Sequence, residues 1–150
     1  MESFLAPESV GADPFAGLLG YHLRRLSVLV MADFTEALAP LGLKPAEASV
    51  LYAVGGGTGL TQSDIGKMLG IQRANMAPLI AGLMRRGLVA RDRVDGRSQA
   101  LRLSAAGQAA RAAAWAANLA HEDRMFGTLA PEARVLLAAQ LRALWQAGPA

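Results

Sequence analysis

The segment at 91–107, RDRVDGRSQALRLSAAG, constrains the fold most, because it predicts a β-hairpin in a chain whose other patterns are helical. Two short alternating segments, 88–91 and 100–103, flank a polar turn at 95–97. Such segments around a turn that contains glycine are typical of a hairpin. Two aspartates are outnumbered there by four arginines, which are Arg91, Arg93, Arg97 and Arg102. The hairpin is therefore cationic, and it predicts a surface that contacts a polyanion.

Apolar residues spaced by three and four positions predict helices on both sides of the hairpin. The first pattern runs over residues 19–41, and a second helix over 46–54 follows Pro45, which suits a first helical turn. After the hairpin, Ser104 is placed to cap a long alanine-rich helix that extends to about residue 126. Pro131 opens a last helix.

Two further short helices, between the second helix and the hairpin, predict a helix-turn-helix. Thr61-Gln62-Ser63-Asp64 resembles a capping box that opens the first of them. The second is expected over about 72–86, and Pro78 falls within it. Because a proline in a helix interior costs about 3 kcal/mol, we expect either a kink there or a helix that begins as late as Asn75.

The charge of the chain is concentrated in its middle. Residues 60–103 contain eight basic and three acidic side chains, a net charge of +5, whereas the remainder carries −2. A basic middle of this kind is typical of a nucleic-acid surface. The chain has no cysteine, which excludes disulfides and Cys-ligated zinc. Its first 14 residues contain no Lys or Arg, unlike a secretory signal, so we expect a cytoplasmic protein without membrane association.

The stretch at 60–107 resembles the winged helix-turn-helix of the MarR family of bacterial transcriptional regulators. The matching motifs are Leu-Thr-Gln-Ser-Asp-Ile-Gly at 60–66, Leu-Gly-Ile at 69–71, Arg-Gly-Leu-Val at 86–89, Asp95-x-Arg97, and Leu101-x-Leu103-Ser104-x-x-Gly107. The resemblance implies a mostly α fold with a small β-hairpin wing, in which a winged helix-turn-helix DNA-binding lobe joins a helical dimerisation lobe.

The resemblance also implies how the chain is divided and what it does. A loose tail at 1–13 precedes one MarR-like domain at 14–150, with the winged helix-turn-helix at about 45–104 and dimerisation helices at about 14–41 and 105–147. The expected function is that of a homodimeric repressor that binds a palindromic operator in double-stranded DNA and is released by a small, phenolic or aromatic ligand. The alternatives are a winged helix that contacts proteins and a ligand-independent activator.

The resemblance assigns candidate DNA contacts. Arg97 takes the wing-tip position that enters a narrow minor groove, and Asp95 orients a neighbouring arginine or simply favours the turn. Gln72, Arg73 and Asn75 open the recognition helix, where side chains contact base edges or phosphates. The remaining candidates contact phosphate or serve only as helix caps and solvated charges, and they are Thr61, Gln62, Ser63 and Arg93.

An effector pocket is expected where two long helices, the first and the fifth of the chain, meet the DNA-binding lobe. Its candidate lining residues, which also fit an ordinary core, are His22, Met31, Tyr52, Trp115 and His121. His22 and His121 lack the spacing of metal ligands, and the sequence contains no recognisable catalytic constellation. We therefore expect a protein that is not an enzyme and that uses neither a metal nor a cofactor.

Overall fold

The computed structural model describes residues 13–93 and 99–148. Within them the chain forms six α-helices and one antiparallel hairpin. In chain order these are α1 (Leu19–Leu38), α2 (Pro45–Gly56), α3 (Gln62–Leu69), α4 (Arg73–Arg85), β1 (Val89–Arg93), β2 (Gln99–Leu103), α5 (Ala105–Phe126) and α6 (Pro131–Ala147). The predicted fold class, mostly α with a small hairpin, is confirmed.

The first helix begins at Leu19, where the apolar pattern predicted it. Before it, residues 14–17 form a turn, and the Phe15 N–H donates to the Asp13 carboxylate at 2.9 Å. A short 3-10 helix, Ala39–Leu41, follows α1, and Gly42 ends it in the left-handed region with a φ of 62°. The second helix was predicted over 46–54 but extends further and includes Gly55 and Gly56.

The capping box that opens α3 is confirmed. The Asp64 N–H donates to Thr61 Oγ1 at 3.3 Å, and the Thr61 N–H donates to the Asp64 carboxylate at 2.9 Å. Gly70 ends the helix with a φ of 65°, a conformation that side chains with a Cβ rarely adopt. The chain therefore turns sharply, and α4 begins three residues later.

The recognition helix lies close to its predicted range of about 72–86, and the alternative of a start as late as Asn75 is wrong. α4 begins at Arg73 and remains helical past Pro78, which is its sixth residue. The proline ring cannot donate to the carbonyl of Ala74, one turn earlier. Both residues are exposed, so water reaches the carbonyl that lacks its helical partner. The proline therefore leaves no buried carbonyl without a partner at this point of the helix.

The hairpin is anchored to the helix-turn-helix by backbone pairing. β1 and β2 pair antiparallel with Val89 opposite Leu103 and Arg93 opposite Gln99. The N–H of Leu101 also donates to the carbonyl of Leu60 at 2.8 Å, next to an isolated bridge between Thr61 and Ala100. The base of the wing and the start of α3 therefore form one rigid unit.

The start of α5 is held against the hairpin. Ser104 caps the helix, as predicted, by accepting the Gly107 N–H at 3.0 Å. An ideal Cβ at Gly107 would overlap the backbone carbonyl of Leu88, so this approach is open only to glycine. α5 then packs against α1 and α2.

The buried core belongs mainly to the lobe that contains the helix-turn-helix. Its largest buried side chains include Val50, Leu51, Ile65, Met76, Ile80 and Leu83. In contrast, α6 buries no side chain, and α1 buries only Leu38. No single described helix is long and apolar enough to cross a membrane. The helical segment 19–41 and α2, which are bent relative to each other, reach the required length and apolar character only when taken together.

Candidate nucleic-acid interface

A groove of about 760 Å³ lies where α3, the start of α4 and the wing meet. The groove contains five of the predicted DNA-contact residues, which are Thr61, Gln62, Ser63, Gln72 and Arg73. It also contains Arg91 of the predicted cationic hairpin, and two side chains that were not among the predicted contacts, Lys67 and Gln99. The fold therefore collects residues from three separate parts of the chain into one cationic surface.

Arg91 is the most firmly positioned cation of this groove. Its Nη2 donates to Gln62 Oε1 at 3.0 Å, and its Nη1 donates to Gln99 Oε1 at 3.3 Å. Both acceptors are neutral amides, and no carboxylate pairs with Arg91 among residues 13–93 and 99–148. The guanidinium is thus held in place while its positive charge stays uncompensated.

The start of α4 presents its polar side chains to solvent. Gln72 is the N-cap residue, and Arg73 and Asn75 follow within the first turn, all three exposed. Asn75 lies beyond the lining of the groove, whereas the other two contribute to it. The N–H groups of a first helical turn have no partner within the helix and carry partial positive charge, so this end of α4 attracts anions.

The residues that open α3 have different local roles. The Thr61 hydroxyl donates to the Asp64 carboxylate at 2.6 Å, and this bond, together with the backbone bond from Thr61, lowers the pKa of Asp64. The side chain of Thr61 is therefore engaged in the helix cap. Gln62 directs its amide oxygen to Arg91, and Ser63 is exposed on the first turn.

The predicted wing-tip contacts are only partly described. Arg97 and Asp95 lie outside the described residues, and Arg93 is described by its backbone alone, opposite Gln99. Two other basic side chains near the wing are paired with carboxylates. Arg86 lies 3.3 Å from Glu47, and Arg102 lies 2.8 Å from Asp92.

Of the five candidate effector-pocket residues, two are in direct contact. Tyr52 and Trp115 do pack together, edge to face, with ring centroids 5.2 Å apart. The Tyr52 hydroxyl is buried and has no hydrogen-bond partner within the described part of the chain, and burial raises the pKa of Tyr52. Trp115 remains half exposed beside it.

The remaining candidates lie elsewhere. His22 and Met31 are exposed on α1, and His22 Nε2 is 2.9 Å from the carbonyl of Ala16. His121 is buried on α5, and its Nδ1 lies 2.6 Å from the Asp33 carboxylate. Across residues 13–93 and 99–148 no group of three or more potential metal ligands occurs.

Comparison with known proteins identifies relatives that are regulators. A family model described as MarR family matches residues 41–98. A curated protein of Thauera aromatica, a putative transcriptional regulatory protein for the hcr operon, is 28% identical over 78 residues, or 51% of this chain. That match covers 47% of the curated protein, so the chain spans about half the length of this relative.

Two solved structures are similar over nearly the whole chain. The transcriptional repressor CouR, bound to a 23-mer DNA duplex, is 35% identical with a TM-score of 0.81 and covers 90% of this chain and 97% of its own. CouR from Rhodococcus jostii RHA1, bound to p-coumaroyl-CoA, is 25% identical with a TM-score of 0.82 and covers 93% of this chain and 98% of its own.

Proposed function

Because this chain belongs to the MarR family of transcriptional regulators, we propose that it is a homodimeric repressor that binds a palindromic operator and is released by a small ligand. The groove between α3, α4 and the wing carries this proposal. It combines the uncompensated guanidinium of Arg91 with the exposed N-terminal end of α4. A related repressor, 35% identical, was solved on a DNA duplex.

The two parts of this surface act differently on DNA. Gln72, Arg73 and Asn75 enter the major groove, where Arg suits guanine and the amides suit adenine. Lys67 and Arg91 contact phosphates, which sets affinity and register without reading sequence. Gln62 and Ser63 bring the start of α3 to the backbone of the duplex through their main-chain N–H groups, and Thr61, whose own N–H donates to Asp64, caps this end of the helix.

The wing adds contacts in the flanking minor groove. Arg97 inserts there, Asp95 orients a neighbouring arginine, and Arg93 contacts phosphate. This assignment rests on the Asp-x-Arg motif and on the position of the hairpin. The hairpin continues directly from the rigid unit that β2 forms with the start of α3.

Homodimer formation is supported by the apolar surface of the helical ends. Large apolar side chains that are exposed on α1 and α6 include Leu19, Leu23, Leu26, Leu29, Val135, Leu136, Leu137, Leu144 and Trp145. Monomeric soluble proteins rarely expose contiguous apolar patches larger than a few hundred Å², so we expect a second copy of the chain to cover these side chains. Residues of about 14–41 and 105–147 therefore form the dimerisation lobe, and about 45–104 form the DNA-binding lobe. A twofold dimer presents two recognition helices, which requires an operator with twofold symmetry.

The effector site is proposed at the contact of Tyr52 with Trp115. A buried hydroxyl without a partner is costly, and a ligand with a polar group can satisfy the Tyr52 hydroxyl while its ring packs on Trp115. A relative is bound to p-coumaroyl-CoA, which carries a phenolic group. We infer a phenolic or aromatic ligand that contacts α2 and α5 and weakens DNA binding.

The proposal is tested by passing fragmented genomic DNA of the source organism over the immobilised protein and identifying the fragments that are retained. The expected result is retention of a few loci that share an inverted repeat, with a yield that falls steeply as salt rises. Uniform retention of all fragments, or none at low salt, would exclude a sequence-specific regulator and favour a winged helix that contacts proteins.

A further inference from the structure

We propose that a second cavity, on the side of β2 away from the DNA-binding groove, binds a small oxyanion, either a carboxylate or a phosphate. The cavity has a volume of about 480 Å³ and lies between the α2–α3 loop, β2 and the start of α5. Residues that line it include Gly55, Thr58, Arg102, Gln108 and Arg111. Its volume falls within the range of roughly 300–1,000 Å³ that is usual for small-molecule sites. The proposal does not depend on the DNA-binding function.

Arg111 is the residue on which the site depends. Its side chain lies directly against the backbone of Gly55, so that an ideal Cβ at Gly55 would be 2.5 Å from Arg111 Nε and 3.0 Å from Cζ. Real Cβ atoms do not approach other atoms so closely. A Cβ at position 55 would therefore displace the Arg111 guanidinium from this place. At the next position, an added Cβ on Gly56 would meet nothing within 4 Å.

The charge of the cavity favours an anion. Asp92, the acidic residue of the lining, is paired with Arg102 at 2.8 Å. Within the described part of the chain, Arg111 makes no ion pair and no hydrogen bond. Its guanidinium therefore retains donors in a planar arrangement that matches a carboxylate or a phosphate. The Thr58 hydroxyl and the Gln108 amide add neutral donors in the same cavity.

A purely structural role for Arg111 is the competing explanation. α2 ends at Gly56, and a cation beside the last turn of a helix interacts favourably with its free carbonyl groups. In that case, loss of Arg111 lowers the stability of the protein, and the cavity has no affinity for anions. Direct measurement of anion binding separates the two roles.

The test is a titration followed by two-dimensional ¹H–¹⁵N NMR of the full chain. Phosphate and acetate are added separately at constant ionic strength, with sodium chloride as the reference, and the amide signals of Gly55, Gly57 and Gly59 are followed. The expected result is a saturable shift of these signals with phosphate or acetate, which also tells the two ligand classes apart. The Arg111→Gln and Gly55→Ala variants should bind at least roughly tenfold more weakly, because a charge-assisted hydrogen bond contributes about 1.5–3 kcal/mol.

Gly56→Ala is the matched control, since it adds the same methyl group one residue away in open space. This variant should bind as the unmodified protein does. Shifts that do not saturate, that chloride reproduces, or that persist in a folded Arg111→Gln variant would overturn the proposal. Lower thermal stability of Arg111→Gln without any saturable shift in the unmodified protein would assign Arg111 to the cap of α2 instead.

Discussion

His121 Nδ1 lies 2.6 Å from a carboxylate oxygen of Asp33, and this contact joins α5 to α1 across 88 positions of the sequence. Arg124 donates to both oxygens of the same carboxylate, at 3.2 and 2.8 Å. The ring of His121 stacks on Phe34 and is only 2% exposed. Asp33 therefore satisfies a buried imidazole and an exposed guanidinium at once, and it fixes the two longest helices relative to each other.

These contacts make the stability of the fold depend on pH in the acidic range. Hydrogen bonds from Arg124, and then from His121, lower the pKa of Asp33 from 3.8 to about 2. Because the pKa of Asp33 is lower in the folded protein than in the unfolded chain, the ionised carboxylate stabilises the fold at any pH above about 4. This contribution to the free energy of unfolding is lost as pH falls from about 4 to about 2. Asp33→Asn should lower the melting temperature at pH 6, and its difference from the unmodified protein should shrink towards pH 2. A difference that is constant across this range would contradict the assigned role.

Two glycines in helices should respond to alanine in opposite directions. Gly107→Ala places a methyl group on the carbonyl of Leu88, and because this neighbour is backbone, we expect a loss of about 3 kcal/mol in the free energy of unfolding. Gly82→Ala in α4 meets only the end of the Arg85 side chain, at 3.7 Å, and should gain about 0.5–1 kcal/mol. Urea denaturation measures both. Equal effects of the two substitutions would show that α5 does not approach Leu88 closely.

Arg91 should contribute to DNA affinity through charge. If its guanidinium contacts one phosphate, Arg91→Ala should weaken binding and reduce the slope of log K against log salt by about 0.9. Lys44→Ala removes the same charge near the other end of α4, where Glu47 accepts the Lys44 N–H and pairs with Arg86. The control should leave the slope unchanged. Fluorescence anisotropy with a labelled duplex at four salt concentrations gives both slopes, and equal slopes would remove Arg91 from the interface.

The apolar side chains of α6 should determine the oligomeric state. Leu144 is 62% exposed in the single chain, and Leu144→Glu should place a charge in the proposed dimer interface and halve the measured mass. Met68 on α3 is similarly apolar and 57% exposed, but it lies outside the dimerisation helices, so Met68→Glu should leave the mass unchanged. Light scattering coupled to size-exclusion chromatography distinguishes these outcomes. A dimeric Leu144→Glu variant would place the interface elsewhere.

Local signals in the sequence predicted the elements well. The capping box at Thr61, the cap at Ser104 and the pairing of the hairpin are each formed by residues close in sequence, and each was confirmed. The effect of Pro78 on α4 was not predictable in this way, because its cost depends on whether water reaches the carbonyl of Ala74 that lacks a helical partner. Exposure of this kind comes from tertiary packing and has no local signature.

The site was predictable only in part, because its pairs are distant in sequence. Gln99 was missed as a partner of Arg91. The register of the hairpin places Leu101 opposite Arg91, and Gln99, two residues before Leu101 on β2, lies on the same face. The contact of His121 with Asp33 has no sequence signal, and the assignment of His22 and His121 to an effector pocket stays a prediction. Tyr52 and Trp115 were the two effector candidates that the structure does bring together.

The ratio of two dissociation constants tests the central proposal most directly. One duplex carries the inverted repeat enriched from genomic DNA, and the other carries the same bases in scrambled order, both measured at one fixed salt concentration near physiological. The proposal predicts that the repeat binds at least about 10³-fold more tightly, as is typical of specific regulators, with half-sites about 10 base pairs apart. Equal dissociation constants for the two duplexes would contradict sequence-specific binding by this chain.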